Sequence, residues 1–388
     1  MKDTFLGYKR PDGRNGIRNN VLILPTCMCS SDLCNQVSRM VKGTVSFHNQ
    51  CGCSQTAGDF KLTLDTMAGF AANPNIYGTL LIGLGCETAQ ADIVVDAIRK
   101  RTNKPLEVLV IQQEGGTIKT MDKAVRIARR MALEASQLQR EECPVSSLIV
   151  GTNCGGSDPT SGLAANPVVG RVSDILAEKK AISVLCETTE LIGAEHILAR
   201  RAKDETVKKR IYEIIERYEE SIRIVGENMR GGQPAEGNKR SGITTIEEKT
   251  LGCIHKGGHT DIMEVVDYAQ EPKEKGLVIM DTPGNDAASV AGLAAGGCQI
   301  VLFTTGLGTP TGNPIAPVYR LTGNKFTFEN MADNTDFDAS GVISRKATVE
   351  ELGDQLYHEL IECCNGKMTK AESLGFIETA IMRACNYL

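Results

Sequence analysis

Aliphatic, β-branched runs too short for helices recur along this chain, each ending in a glycine-containing turn and alternating with stretches of helical spacing. Strands are expected at residues 20–25, 44–47, 79–84 and 106–112, with helices at 31–41, 88–101 and 117–138. Such alternation implies a mostly parallel sheet flanked by helices, because successive parallel strands need a crossover long enough to hold a helix. The polar, proline-bearing stretch 137–147 ends the third helix. A boundary is placed there, giving an N-terminal α/β domain at 1–143 and a C-terminal α/β catalytic domain at 144–388. The second part restarts with a strand at 147–150, then a helix at 168–178, a strand at 181–185 and a long charged helical stretch at 194–229. A helix at 243–254, strands at 277–281 and 299–304, and helices at 286–295 and from 349 follow. The charged run 204–220 reads as a solvated helix face laced with i,i+4 pairs. Open α/β sheets collect ligands beyond the carboxyl ends of their strands, so the active site is expected in those loops.

Three of these strand-end loops carry a cysteine: Cys53 in HNQCGCSQ, Cys86 in LLIGLGCET and Cys154 in LIVGTNCGGSD. Soft ligands brought together from distant loops suit a thiophilic metal. The chain has 14 cysteines, so some must be small buried hydrophobes. Cys143, Cys298, Cys363, Cys364 and Cys385 lack ligand spacing and read as structural. The pairs Cys27/Cys29 and Cys51/Cys53 are C-x-C, so on a strand either could aim two sulfurs one way, as ligands or as a redox pair. Neither is the C-x-x-C of a zinc ribbon or thioredoxin-like site. Whether Cys51 or His48 joins the metal set is left open. With 43 basic and 48 acidic residues interspersed, there is no basic field for nucleic acid or an anionic membrane. The first residues lack the apolar core of a signal peptide, and no apolar run is long enough to span a bilayer. A cytoplasmic location is therefore expected, where thiols serve metals or reactivity more than disulfides.

Other loops offer polar chemistry. In VIMDTPGNDAAS, Asp281 closes a strand and Asn285 or Asp286 can cap the next helix. VLFTTGLGTPTGNP presents Thr304, Thr305, Thr309, Thr311 and Asn313, a lining suited to a polyhydroxy or carboxylate ligand. Its spacing is wrong for a dinucleotide, Pro310 and Pro314 interrupt the helix a pyrophosphate needs, and no P-loop occurs. NCGGSD resembles an anion nest and brings Ser157 and Asp158 to it. In RPDGRNGIRNN, Arg14 and Arg18 could clamp a carboxylate beside Asn19, or form a solvated loop. Lys256 in HKGGH is a candidate proton donor or base, while the two glycines between His255 and His259 argue against a helical zinc pair. Glu187 and Glu190 in LCETTELIG stand at a strand end as ligand or base, with Glu195 on the following helix.

These pieces occur together with RPDGRNGIRN at 10–19, LGCE at 84–87, CGGSDPTSGLAANPVVG at 154–170, ETTELIGAEH at 187–196, DTPGND at 281–286 and FTTGLGTPTGNPIAP at 303–317. Over nearly its whole length the chain resembles the altronate/galactarate dehydratase family. The resemblance implies iron-dependent β-elimination of water from a sugar acid, giving a 2-keto-3-deoxy acid. The same family includes the large subunit of sulfolactate sulfo-lyase, which expels sulfite. On that basis Arg14, Arg18 and Asn19 would hold the carboxylate. Lys256, Glu187 or Glu190 would move the proton, and Ser157, Asp158, Asp281, Asn285, Asp286 and the threonine loop would bind the rest of the substrate. Cys53, Cys86 and Cys154 would hold iron, as Fe2+ or as a [4Fe-4S] cluster with one open iron. Sugar-acid dehydratases of the family begin with a small extra domain, whereas the DGR block here starts almost at Met1. A separate small subunit is thus expected as a partner; a homo-oligomeric assembly is expected as well. The rival reading is a non-catalytic thiol protein for metal binding or redox, against which the intact substrate loops argue.

Overall fold

A computed structural model describes residues 2–385. A small antiparallel sheet comes first, with β1 (Thr4–Lys9) between β2 (Asn15–Gly16) and β7 (Glu141–Pro144). The first parallel sheet contains β3 (Asn20–Pro25), β4 (Thr44–Val45), β5 (Ile76–Gly83) and β6 (Leu106–Val110), in the order β4-β3-β5-β6. The second contains β8 (Ile149–Cys154), β9 (Ile182–Leu185), β10 (Ile262–Val266), β11 (Gly276–Met280), β12 (Ile300–Thr304), β13 (Val318–Thr322) and β14 (Phe337–Asp338). Its order is β10-β11-β9-β8-β12-β13-β14, with every neighbour parallel. β8, β9, β11, β12 and β13 are buried along their whole lengths, as strands covered by helices on both faces must be. The expected α/β class with parallel sheets is the observed one.

A helix missing from the sequence reading joins the two sheets. Ala57–Ala72 exposes polar side chains only toward its start and is buried all round from Thr66 on, so its amphipathic stripe is weak, and it packs between the first sheet and helix Asp286–Ala295. Gly69 permits the approach, since a Cβ there would stand 2.2 Å from the Ala295 carbonyl oxygen. Phe47, Met67 and Phe70 from one side and Val290, Leu293 and Val301 from the other form a single buried cluster. Phe47 and Phe70 meet edge to face at 5.3 Å.

The charged stretch expected as one long helix divides into Glu195–Ala199 and Glu205–Ile224. Asp204 restarts the second piece, its carboxylate accepting the Val207 N–H at 2.9 Å as an N-cap. No helix among the described residues is long and apolar enough to cross a membrane.

Candidate active site

Beyond the carboxyl ends of β8, β9 and β11 lies a cavity of about 510 Å³ lined by Cys154, Ser157, Glu187, Glu190, Lys249 and Asp286, among others. Cys154 ends β8 and donates its N–H to Glu187 Oε2 at 2.8 Å, while its Sγ lies 2.6 Å from Ser157 Oγ. Gly155 follows because a side chain there would strike Asp286 Oδ2 at 2.4 Å. Glu187 sits in the left-handed region at φ 68°, ψ 74°, a conformation costly for a residue with a side chain. The backbone is held there by Glu187 N–H to Thr282 Oγ1 at 2.8 Å and Thr188 N–H to the Thr282 carbonyl at 2.9 Å. The carboxylate is thereby turned back toward β8.

Glu190 is one short turn further on, and each of its oxygens faces an ammonium group. Lys256 Nζ lies 2.8 Å from Oε2 and Lys249 Nζ 3.3 Å from Oε1. Lys256 also reaches Glu187 at 3.5 Å and has no exposed surface. Burial raises the Glu190 pKa, but the two lysines outweigh it and keep the group ionised. Burial and the Glu190 charge both push Glu187 the other way, well above the usual carboxyl range. Lys256 stays charged: burial favours the neutral amine, and Glu190 overrides it. Burial and Glu190 together raise Asp286 to about 6.

Cys253, from helix Ile246–Cys253, completes the group. Cys154, Glu190 and Cys253 present ligand atoms within 4.8 Å of one another, the one such donor set among the described residues. A bond from Cys253 holds the Cys154 thiol below its usual pKa despite burial, and Cys253 is raised in turn. Two thiols and a carboxylate suit a soft or borderline divalent ion. A bound ion would displace the thiol protons of Cys154 and Cys253, and with ionised Glu190 the three negative charges of the donor set would then exceed those of Lys249 and Lys256 by one.

The sequence-derived candidates fall into three groups. Cys154, Ser157, Glu187, Glu190, Asn285 and Asp286 line the cavity, with Lys256 directly behind. Asn285 also caps its helix, accepting the Ala288 N–H at 3.1 Å. A second group supports the site from outside. Asp158 is occupied by Thr160, Ser161 and Asn324, and Asp281 by Thr188 and Arg217. Thr304 binds Asn166, Thr305 accepts the Gly308 N–H, and Asn313 accepts those of Ile315 and Ala316. Fully buried Arg320 takes the carbonyls of Pro310 and Thr311, and Gly306 and Leu307 donate to the Gly156 carbonyl. The threonine loop, with Thr309 against Gly156, therefore braces the turn after Cys154 and does not line the cavity.

The third group stands elsewhere. Arg14 is paired with Asp12 at 2.6 Å and Glu271 at 3.0 Å, and Arg18 with Glu372 at 2.7 Å plus three carbonyls. Asn19 bridges Arg10 and the Ala135 carbonyl. The expected carboxylate clamp is instead a clasp, with its guanidinium groups already satisfied by protein. Cys53 and Cys86 do not join the Cys154 donor set: both are exposed, in loops of the other parallel sheet. Cys51 is buried in the core, His48 faces Asp32 at 3.8 Å, and Cys385, read as structural, is exposed.

Lys249, Cys253 and Tyr218 escaped the sequence reading. The first two had a signal, because Lys249, Cys253 and Lys256 are spaced i, i+4, i+7 and share one helical face. Tyr218 did not, since it and Ile222 line the cavity from the helix taken as a solvated face.

Comparison with known proteins adds an independent line. A family model described as D-galactarate dehydratase/altronate hydrolase, second domain, matches residues 7–136. Another, D-galactarate/altronate dehydratase, C-terminal, matches residues 145–386. The chain is 41% identical to (2R)-sulfolactate sulfo-lyase subunit beta of Chromohalobacter salexigens, covering 98% of this chain and 97% of that protein. It is 34% identical to altronate dehydratase of Bacillus subtilis, over 98% of this chain and 78% of that protein. To galactarate dehydratase (L-threo-forming) of Escherichia coli it is 32% identical, over 94% and 73%.

Proposed function

From the premise that this chain belongs to the D-galactarate/altronate dehydratase family and is a lyase, we propose that it dehydrates a sugar acid to a 2-keto-3-deoxy acid. The observation that carries the reading is the buried Lys256 between Glu187 and Glu190, opening on one polar cavity.

Glu187, whose raised pKa makes its ionised form the stronger base and whose backbone aims it, takes as that carboxylate the proton from the carbon next to the substrate carboxylate. The C–O bond at the neighbouring carbon breaks, and Asp286, part-protonated near neutral pH, protonates the departing hydroxide to water. The resulting enol becomes the ketone when Glu187 returns its proton to the β carbon and the enol O–H proton passes to Asp286. Lys256 keeps Glu190 ionised and offsets the charge that moves between the carboxyls. Lys249, whose ammonium lines the cavity, holds the substrate carboxylate in place of the arginines. Cys154, Cys253 and Glu190 would hold iron, which when bound supplies polarisation of a substrate oxygen.

A second reading places sulfite as the leaving group. The higher identity to the sulfo-lyase subunit, over nearly all of both chains, favours it. The same α-proton transfer then breaks a C–S bond, and a second polypeptide would complete the enzyme, as the relative's designation as a subunit suggests. The test is an anaerobic, iron-supplied assay over aldonic acids, aldaric acids and sulfolactate, each with and without the small partner. Keto-acid production with water loss supports the first reading, and keto acid with sulfite the second. Absence of product from every substrate would sink both.

A further inference from the structure

Among the described residues Tyr218 is the one phenol lining the cavity, and the proton transfers proposed above do not use it. It comes from helix Glu205–Ile224, whose buried side is Val207, Ile211, Ile214 and Ile215. Those four join Leu185, Leu277 and Ile279 of the second sheet in one core. Tyr218 and Ile222 continue the same side of the helix at i+4 spacing. Beneath them β9 and β11 have ended, at Leu185 and Met280, so both side chains face the cavity in place of a core.

Neighbouring groups aim the hydroxyl. Arg217, adjacent in the chain, is bonded to Asp281, which also accepts from Thr188 Oγ1 at 2.6 Å. That pair fastens the helix to the turn at 281–286. Within the turn Gly284 packs so tightly on Thr189 that a Cβ would stand 2.2 Å from its Oγ1. The Gly284 N–H faces the Tyr218 oxygen and works against the rise in pKa that burial causes, and the net shift is upward. The phenol therefore keeps its proton at neutral pH. With a lone pair turned to Gly284, that proton is free to point into the cavity, and no group of the described residues accepts it.

Other polar groups of the wall are already committed. Ser157 Oγ lies 2.6 Å from Cys154 Sγ, Asn238 Nδ2 donates to the Ser157 carbonyl at 2.8 Å, and Asn285 Oδ1 caps its helix. Gly284 stands two residues before Asp286, whose carboxyl lines the same cavity. An uncommitted, half-buried donor beside the acid is suited to an oxygen that gains negative charge as its bond to carbon breaks.

We propose that Tyr218 donates a hydrogen bond to the group leaving from the β carbon of the substrate, next to Asp286. The inference rests on the lyase reading. No proton leaves the phenol: Asp286 supplies the one that departs with water, and the Tyr218 O–H stabilises the charge on the leaving oxygen until that transfer is complete.

The test compares the full chain, iron-supplied and anaerobic, with Tyr218→Phe, which removes only the hydroxyl, and with Tyr212→Phe, a phenol of the same helix outside the cavity. Altronate, galactarate and sulfolactate are mixed with each protein in turn, reading tyrosine absorption before product accumulates and keto acid afterwards. The chain has 8 tyrosines and no tryptophan, so a new hydrogen bond from one phenol is visible as a near-UV difference band. Wild type and Tyr212→Phe are expected to show that band with the acid they convert, and Tyr218→Phe to lack it. In Tyr218→Phe kcat should fall roughly 10- to 100-fold while KM changes less than about threefold, because the donor matters most as charge develops. A wild type with no band for any of the three acids would overturn the proposal. So would a band retained in Tyr218→Phe, or an unchanged kcat in that variant. A band lost in Tyr218→Phe, with no keto acid from any of the proteins, would support the contact while sinking the lyase reading.

Discussion

Lys256 is a buried ammonium whose presence is justified only by the carboxylates around it. Its replacement by methionine leaves Glu190 with Lys249 alone, and breaking a buried pair from one side costs about 3–5 kcal/mol. Urea denaturation of Lys256→Met should show that loss, and adding Glu190→Gln should recover part of it. Equal stability of the single variant and wild type would mean that the pair is not seated as described. Glu187 raises a different issue at the same scale. The motif ETTE identifies a pair of acids, yet nothing in the letters says that one lies in the left-handed region and the other between two lysines. Tertiary contacts separate their ionisation, and those are invisible in a linear reading.

Turns and loops carry the larger revisions. The RPDGR turn ties the N-terminal segment to two distant parts of the chain, with Thr102 and Arg14 on Asp12, and Glu271 on Arg14. Burial alone would raise the Asp12 pKa, but the bond and charge of Arg14 bring it down to about 2. A carboxyl depressed on folding adds stability above its unfolded value near 3.8, and loses it as pH falls toward the folded one. With allowance for solvent screening, the contribution is roughly 1 kcal/mol. Asp12→Asn should therefore lower stability at pH 7 by about that amount, with the difference from wild type shrinking between about pH 4 and pH 2. A constant gap across that range would contradict the assignment. Arginine forks beside asparagines suited a carboxylate clamp in the sequence, but their partners Glu271 and Glu372 lie hundreds of residues away and gave no local signal.

For the molecule as a whole, the strand-and-helix alternation made both parallel sheets legible, because a buried parallel strand is written as an unbroken aliphatic run. Their joint was not legible. Helix Ala57–Ala72 shows polar side chains only before Thr66, the rest being buried all round, and its partner Asp286–Ala295 is almost entirely small and apolar. Where those helices touch, Gly69 against the Ala295 backbone leaves no room for even a methyl group. Gly69→Ala should push the backbones apart at a cost of about 1–3 kcal/mol. Calorimetry should show one unfolding transition in wild type and a broadened or split one in the variant; a single sharp peak in both would refute the coupling. The contact makes the halves behave like meshed gears: loosening the thiol-bearing sheet is felt at the lyase cavity as lost melting cooperativity, with no residue of that cavity altered.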